Sequence, residues 1–89
     1  MKFMDLSPFP KRLKEIRTLR GLSQKQLGIE AGIDPSVASP RMNQYERGVH
    51  APDFGTVRHL ARVLKVPTAF FYCEEDELAT AIRNYLLTD

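Results

Sequence analysis

The chain has 89 residues, of which 43% are hydrophobic and 27% are charged, a balance typical of one ordinary globular domain. This length allows one modest core and excludes an enzyme pocket beside a separate regulatory domain. The formal net charge is +2, but residues 1–50 hold nine Lys and Arg against five Asp and Glu, whereas residues 51–89 hold four against six. A basic first half fits a polyanion-binding surface and a chance scatter of surface charge equally well.

The first helix is expected to follow an N-terminal arm formed by residues 1–9. It should begin near Pro10 or Lys11 and end at Gly21, since glycine commonly follows a helix C-terminus. The apolar side of this basic helix carries Leu13, Ile16 and Leu19.

The second helix has the clearest local signals in the chain. Ser23 is a favoured N-cap residue, and Gln26 three positions later completes a capping box. Leu27 and Ala31 lie on one face, and Gly32 is expected to stop the helix before Ile33 turns inward.

The course of the chain into the third helix has two possible forms. Asp34 and Pro35 offer an N-cap and a first helical residue, but Pro40 inside a helix would remove a hydrogen bond and clash with the preceding turn. Either the helix begins at Asp34 and kinks near residues 36–40, or a loose turn gives way to a new start with Ser39 as N-cap and Pro40 as first residue. The second form is favoured. The core face should then carry Ala38, Met42 and Tyr45.

Three further helices are predicted after a polar loop. Asp53 can cap a fourth helix, whose apolar stripe consists of Val57, Leu60, Ala61 and Leu64. A short fifth helix should contain residues 70–72, and the acidic run 74–77 suits the first turn of a last helix. The apolar side of that last helix carries Leu78, Ile82, Tyr85 and Leu86. The chain is therefore expected to be all-α, a compact bundle of five helices plus a C-terminal helix.

The order of these elements resembles the Cro/phage-repressor type of helix-turn-helix domain, also called the xenobiotic-response-element family. The resemblance covers residues 10–72 and is specific as a combined pattern. It is carried by GLSQKQL at 21–27, AGI at 31–33, QYERG at 44–48 and LARVLKV at 60–66. It implies a sequence-specific, double-stranded DNA-binding transcriptional regulator that lays the second helix of its motif in the major groove. The domain would then span 10–72, with 73–89 as a C-terminal helix for dimerisation.

The resemblance implies two groups of DNA contacts. Gln24 and Lys25, at the start of the first motif helix, can meet a phosphate together with free backbone N–H groups. Side chains that avoid the core face of the second motif helix can reach bases or the backbone: Ser39, Arg41, Asn43, Gln44 and Arg47. Arginine can pair bidentately with guanine, and asparagine or glutamine with adenine.

The segment before the second motif helix departs from the family, because it is about one helical turn longer than usual. Counted back from the end of that helix, the family's base-reading positions fall on Ser39, Pro40, Arg41 and Gln44. Proline cannot read a base by hydrogen bonding. Arg41 and Gln44 are therefore the leading specificity residues, followed by Asn43 and Ser39.

Other charged residues are assigned to structure or to the DNA backbone. The resemblance matches Arg17 and Glu46 to a buried ion pair that ties the first helix to the third, and breaking such a pair would strand one charge. Backbone contact and plain surface exposure are weighed evenly for Lys11, Arg12, Arg47 and His50.

No catalytic, cofactor or metal site is expected. His50, His59 and Cys73 are too widely spaced for a recognised zinc motif, and a contiguous acidic run at a helix start is typical of capping. A single cysteine excludes an intrachain disulfide and suits a reducing cytoplasm. No apolar run approaches the roughly 20 residues of a membrane span, so a cytoplasmic protein without membrane association is expected.

A homodimer is expected to form through the C-terminal region. Three consecutive aromatic residues are more than one face of a short helix can hide, and the last helix adds a continuous apolar side. The expected interface consists of Phe70, Phe71, Tyr72, Ile82, Tyr85 and Leu86. The alternative is that the last helix folds back over the aromatic residues within one chain.

Three functions are compatible with this reading. The first is a repressor or autoregulator acting as a homodimer. The second is the controller protein of a restriction-modification system, and the third is an antitoxin-type module that binds a protein partner.

Overall fold

A computed structural model of the chain describes residues 7–85, and all regular elements in this part are helical. They are α1 (Phe9–Leu19), α2 (Gln24–Glu30), α3 (Ala38–Glu46), α4 (Phe54–Leu64), a 3₁₀ helix (Thr68–Tyr72) and α5 (Asp76–Arg83). The expected all-α bundle is confirmed, and its short fifth helix is of the 3₁₀ type.

Helix α1 begins at Phe9, slightly earlier than the sequence indicated. Pro8 occupies the N-cap position, and the Phe9 N–H donates to the Ser7 hydroxyl oxygen at 3.1 Å. The Phe9 ring is buried and lies 5.1 Å from the Phe71 ring. A residue expected in the arm therefore belongs to the core, whereas Leu19, expected on the apolar side of the helix, is exposed.

The capping box of α2 is confirmed. The Gln26 N–H donates to Ser23 Oγ at 3.0 Å, and the Ser23 N–H donates to Gln26 Oε1 at 2.9 Å. The helix is followed by Gly32 with φ of 96°, a left-handed conformation that favours glycine. Ile33 then packs against the core, as expected for an apolar residue in this turn.

Close packing of α2 on α3 depends on Gly28. A Cβ atom at this position would lie 2.9 Å from Ala38 Cβ, 3.1 Å from Met42 Cγ and 3.2 Å from the Ala38 carbonyl oxygen. The first distance is shorter than real Cβ contacts. Only glycine therefore lets the two helices approach this closely.

The start of α3 matches the second form considered above, with a shifted boundary. Residues 35–37 form a turn, Val37 is the N-cap and the helix begins at Ala38. Pro40 is the third helical residue, where a missing N–H leaves no helical hydrogen bond unmade. The new start therefore lies two residues before the one expected at Pro40, because Ala38 packs against Gly28.

The turn before α3 is fixed by its own side chains. Asp34 Oδ1 accepts hydrogen bonds from the Ser36 hydroxyl at 2.6 Å and the Ser36 N–H at 2.8 Å. These two bonds lower the pKa of Asp34. The extra residues thus form a defined turn that adds surface beside α3.

Helix α4 supplies the centre of the core. Asp53 caps it by accepting the Thr56 N–H at 2.8 Å, as expected. The four residues of its predicted apolar stripe are all buried. Their neighbours across the core include Leu13, Ile16, Leu27, Met42, Tyr45 and Phe70.

The aromatic run after α4 corrects one expectation. Phe70 and Phe71 are both 0% exposed, so neither can form a dimer surface as expected. The 3₁₀ helix packs against α1, α4 and α5, and Phe9 covers Phe71 from the start of α1. Both rings therefore find apolar partners within one chain, while Tyr72 remains about half exposed at 49%.

Arg12 also corrects an expectation, because it is 1% exposed and unavailable to DNA. Its guanidinium donates to the Cys73 carbonyl at 2.8 Å and the Glu74 carbonyl at 3.2 Å. It also forms ion pairs with Glu15 and Asp76, each at 3.0 Å. Arg12 thus ties α1 to the segment that leads into α5.

Helix α5 keeps part of its apolar side uncovered. Ala79 is buried, and Ile82 is only partly covered. Leu78 is 53% exposed and Tyr85, just after the helix, is 66% exposed. Leu86, expected on the same side, lies outside the described residues. No helix within residues 7–85 is long and apolar enough to cross a membrane.

Candidate nucleic-acid interface

Helix α3 has one core side and one solvent side. Ala38, Met42 and Tyr45 point into the core. An α-helix turns by about 100° per residue, which places the other predicted side chains on the remaining surface of α3. Four of them are exposed and Gln44 is half-buried; the set is Ser39, Arg41, Asn43, Gln44 and Arg47.

The polar side chains of this surface have no partner among the described residues. Among residues 7–85, none of the five makes a side-chain hydrogen bond or an ion pair. Their donors and acceptors are available to a ligand that presents a complementary pattern.

The start of α2 lies beside the end of α3. The Gln24 side-chain amide donates to Glu46 Oε1 at 3.1 Å, which places this predicted phosphate contact next to the C-terminal turn of α3. Lys25 is exposed and has no ion pair with any described residue. The two expected contact groups, on α2 and on α3, thus share one side of the molecule.

The ion pair that the resemblance implied is present. Arg17 Nε lies 2.5 Å from Glu46 Oε2, and Arg17 Nη2 lies 3.0 Å from Glu46 Oε1. The Glu46 side chain is 4% exposed, and Arg17 also donates to the Leu22 carbonyl at 2.9 Å. This bidentate pair holds the C-terminal end of α3 against α1, while Gly28 sets its N-terminal end.

Cations are distributed unevenly between two sides of the domain. Apart from the pair that holds α3, every ion pair between described residues joins α1 or α5 to a carboxylate, and these pairs use Lys11, Arg12 and Arg83. On α2, α3 and α4 and at the C-caps of α3 and α4, six exposed cations have no ion-pair partner among the described residues: Lys25, Arg41, Arg47, Arg58, Arg62 and Lys65. The α2–α4 side therefore offers most of the positive charge available to an anionic ligand.

A basic ridge on α4, formed by Arg58, His59 and Arg62, was not predicted from the sequence. These residues and Gly55 line a surface depression of about 300 Å³. Arg62 Nη1 lies 2.9 Å from His59 Nδ1. The signal was present in the sequence, since Arg58 and Arg62 are one turn apart and opposite the apolar stripe of α4.

The basic ridge adjoins α3 through Arg41. A second depression, of about 480 Å³, is lined by Arg41 and Val37 from the α3 region and by His59 and Arg62 from α4. His50, in the loop after α3, lines a further groove with Arg41 and Gln44. One continuous exposed surface thus runs from α4 across α3.

Lys11, considered as a backbone contact, lies elsewhere. Its ammonium group is 3.2 Å from Asp76 Oδ1 at the start of α5. This contact places it among the cations on the α1–α5 side. Glu30 and Asp34 are acidic neighbours of the α3 surface, and Asp34 is engaged in the turn that precedes the helix.

A capped helix, a glycine turn and a second helix with an exposed polar face define a helix-turn-helix unit of the kind that binds DNA. A helix-turn-helix family model matches residues 13–71. The chain belongs to the Cro/C1-type helix-turn-helix family of DNA-binding transcriptional regulators, which is not a class of enzymes.

Similar proteins carry matching names. The HTH-type transcriptional regulator RghRB of Bacillus subtilis is 39% identical over 62 residues, which are 70% of this chain and 42% of that protein. An HTH-type transcriptional regulator of Sinorhizobium medicae is 30% identical over 61 residues, which are 68% of this chain and 41% of that protein. This chain thus spans about two fifths of the length of these curated relatives.

A solved structure also resembles the chain. The crystal structure of the transcriptional regulator BswR matches with a TM-score of 0.81 and 49% sequence identity. The match covers 88% of this chain and 80% of that one. The likeness therefore extends over nearly the whole fold described here.

Proposed function

We propose that this protein is a sequence-specific repressor or autoregulator of transcription that binds double-stranded DNA as a homodimer. One observation carries the DNA-binding part of the proposal: four polar side chains on α3 and the Arg47 side chain at its C-cap are exposed or half-buried and lack partners within residues 7–85. Internal contacts use the opposite face of the same helix. In this arrangement α3 enters the major groove and its outer face meets base edges.

The residues of the interface have different roles in this proposal. Arg41 and Gln44 read bases, with Asn43 and Ser39 as secondary contacts, because their side chains can form the hydrogen-bond pairs that distinguish guanine and adenine. The backbone contacts come from Gln24, Lys25, Arg47 and the basic ridge of α4. Phosphate contacts position the protein, whereas base contacts select the sequence.

The DNA-binding proposal is tested by selection of bound duplexes from a random pool at a stated salt concentration. We expect enrichment of one motif, and an affinity for that motif that falls steeply as salt increases, because phosphate contacts release counterions. Absence of duplex binding at low salt would contradict the proposal.

The homodimer is proposed from the uncovered side of α5. Leu78, Ile82 and Tyr85 are spaced i, i+4 and i+7 and therefore share one side, on which two residues are more than half exposed. Tyr72 adds an exposed aromatic ring from the 3₁₀ helix. A second copy is the favoured occupant, because one α3 reads only a few base pairs and a two-fold pair reads two half-sites about 34 Å apart.

The oligomeric state is tested by sedimentation of the wild type and of Leu78→Glu. Leu78 is largely exposed, so the substitution should leave the domain folded while it places a charge in the interface. Thr80→Glu, on the opposite side of α5, serves as the matched control and should still dimerise. A dissociation constant of tens of micromolar corresponds to a free energy of association of about −6 kcal/mol. A wild type that stays monomeric at these concentrations would exclude this dimer.

A further inference from the structure

Two apolar residues at the start of α3 have no role in the core. Val37, the N-cap residue, is 38% exposed, and Pro40 is also exposed. Neither belongs to the buried cluster or packs against it as a partly buried member. Their position in the proposed interface therefore needs another explanation than folding.

Both residues lie on the same stripe as the leading specificity residues. Val37, Pro40, Arg41 and Gln44 are spaced i, i+3, i+4 and i+7, which places them along one side of a helix. The surface is continuous, because Val37 and Arg41 line one depression while Arg41 and Gln44 line the next groove. The stripe is apolar at its first turn and polar after it.

The chemistry of the major groove limits what such an apolar turn can recognise. Valine and proline side chains cannot donate or accept hydrogen bonds, and a polar base edge packed against them would lose its water without compensation. Thymine is the standard base that presents an apolar group there, the C5-methyl. Four residues of α-helix rise about 6 Å, which corresponds to one or two base-pair steps of about 3.4 Å.

We propose that Val37 and Pro40 form an apolar contact for the C5-methyl group of a thymine, one or two base pairs from the pair that Arg41 reads. This inference rests on the proposed function, since it assumes that α3 enters the major groove. In this proposal the extended turn takes part in sequence recognition through Val37. Pro40 recognises the thymine by apolar contact and not by hydrogen bonding.

The test removes only the methyl group. After selection has defined the site, each thymine is replaced in turn by deoxyuridine, and binding is measured by fluorescence anisotropy. At one thymine near the base pair assigned to Arg41, the replacement should weaken wild-type binding about fourfold, the equivalent of one buried methyl-sized group. Deoxyuridine elsewhere should have little effect.

Protein variants then connect that methyl group to the two residues. Val37→Ala and Pro40→Ala should each reduce the difference between the thymine and deoxyuridine sites, and the double variant should reduce it further. Val49→Ala is the matched control, because Val49 is 59% exposed in the loop after α3 and should leave the difference unchanged. Circular dichroism of each variant checks that the helices are retained, and Val37→Ser, which lacks both γ-methyl groups and suits the N-cap position, provides a second variant if Val37→Ala fails to fold.

The outcomes separate the two proposals. A wild type that selects a site but is indifferent to every deoxyuridine replacement overturns this inference alone. Full methyl sensitivity in both Val37→Ala and Val37→Ser would also overturn it. A wild type that selects no duplex at all overturns the proposed function and this inference together.

Discussion

The contact at Gly28 gives a quantitative test of how α3 is held in place. In Gly28→Ala, the new Cβ would lie 2.9 Å from Ala38 Cβ, about 0.6 to 1.1 Å inside an ordinary carbon–carbon contact. Overpacking of this kind costs about 1–3 kcal/mol. The higher helix propensity of alanine offsets about 1 kcal/mol of this cost. The free energy of unfolding should therefore decrease by about 1 kcal/mol, with a range of about 0 to 2.

Gly55 provides the matched control for this substitution. It also lies in a helix, but a Cβ there would meet only Asp53 Oδ1, at 3.7 Å. Gly55→Ala should therefore increase the free energy of unfolding by up to about 1 kcal/mol. Urea unfolding followed by circular dichroism measures both variants.

The double variant Gly28→Ala with Ala38→Gly tests the named contact. Loss of the Ala38 side chain removes the 2.9 Å contact but leaves the carbonyl oxygen at 3.2 Å. We expect less added destabilisation from Gly28→Ala in this background than in the wild type. If Gly28→Ala is as stabilising as Gly55→Ala, the close approach of α2 and α3 described here is wrong.

Three further predictions address readout, phosphate contacts and pH. Arg41→Ala and Gln44→Ala should each lose about 1–3 kcal/mol of discrimination at one or two base pairs, measured with single-mismatch duplexes. Arg58→Ala and Arg62→Ala should each reduce the slope of log affinity against log salt by about 0.9, with the preferred sequence unchanged. Hydrogen bonds from the α1 side chains Lys11 and Arg12 lower the pKa of Asp76. The contribution of Asp76 to stability should be complete above about pH 4, which is its pKa in the unfolded chain. This contribution should decrease as the pH falls through the lower pKa that Asp76 has in the folded protein. Urea midpoints at neutral and acid pH should therefore differ more for the wild type than for Asp76→Asn.

Each of these predictions has a result that would contradict it. An unchanged base preference in both α3 variants would show that the register assigned to this helix is wrong. An unchanged salt slope in both α4 variants would remove the basic ridge from the interface. Equal acid sensitivity of the wild type and Asp76→Asn would show that the contacts of Asp76 do not stabilise the fold.

Local signals explain why much of the fold was predictable from the sequence. The capping box at Ser23 and Gln26 involves residues three positions apart, and Asp53 caps the helix that it precedes. The apolar stripe of α4 likewise depends only on helical periodicity. Each of these features is complete within a few residues, so no knowledge of tertiary packing was needed.

The errors came from contacts between residues distant in sequence. Arg12 has the local pattern of a surface cation, but three of its four hydrogen-bond partners follow about sixty residues later. Phe70 and Phe71 were expected in a dimer interface because one short helix was judged unable to bury them. The residue that covers Phe71, Phe9, was assigned to the N-terminal arm. Helix α3 begins at Ala38 and not at Pro40 as predicted. Its start is set by the packing of Ala38 against Gly28, and not by the local preference of proline for a first helical position.

The candidate site was predictable in composition and less so in extent. Arg41 and Gln44 were named from the resemblance, and both lie on the solvent side of α3. The ridge on α4 was missed because helix periodicity was read there only for its apolar stripe. Val37 was missed because the sequence alone did not show which residues of the extended turn remain exposed.

The ratio of affinities for a selected duplex and a scrambled duplex of the same composition tests the central claim most directly. At a fixed salt concentration, the wild type should bind the selected duplex at least about 1,000-fold more tightly. The double variant Arg41→Ala with Gln44→Ala should lose most of this ratio and keep much of its affinity for the scrambled duplex, because the phosphate contacts from other residues are retained. A wild-type ratio near one, or an unchanged ratio in the double variant, would contradict sequence-specific DNA binding through α3.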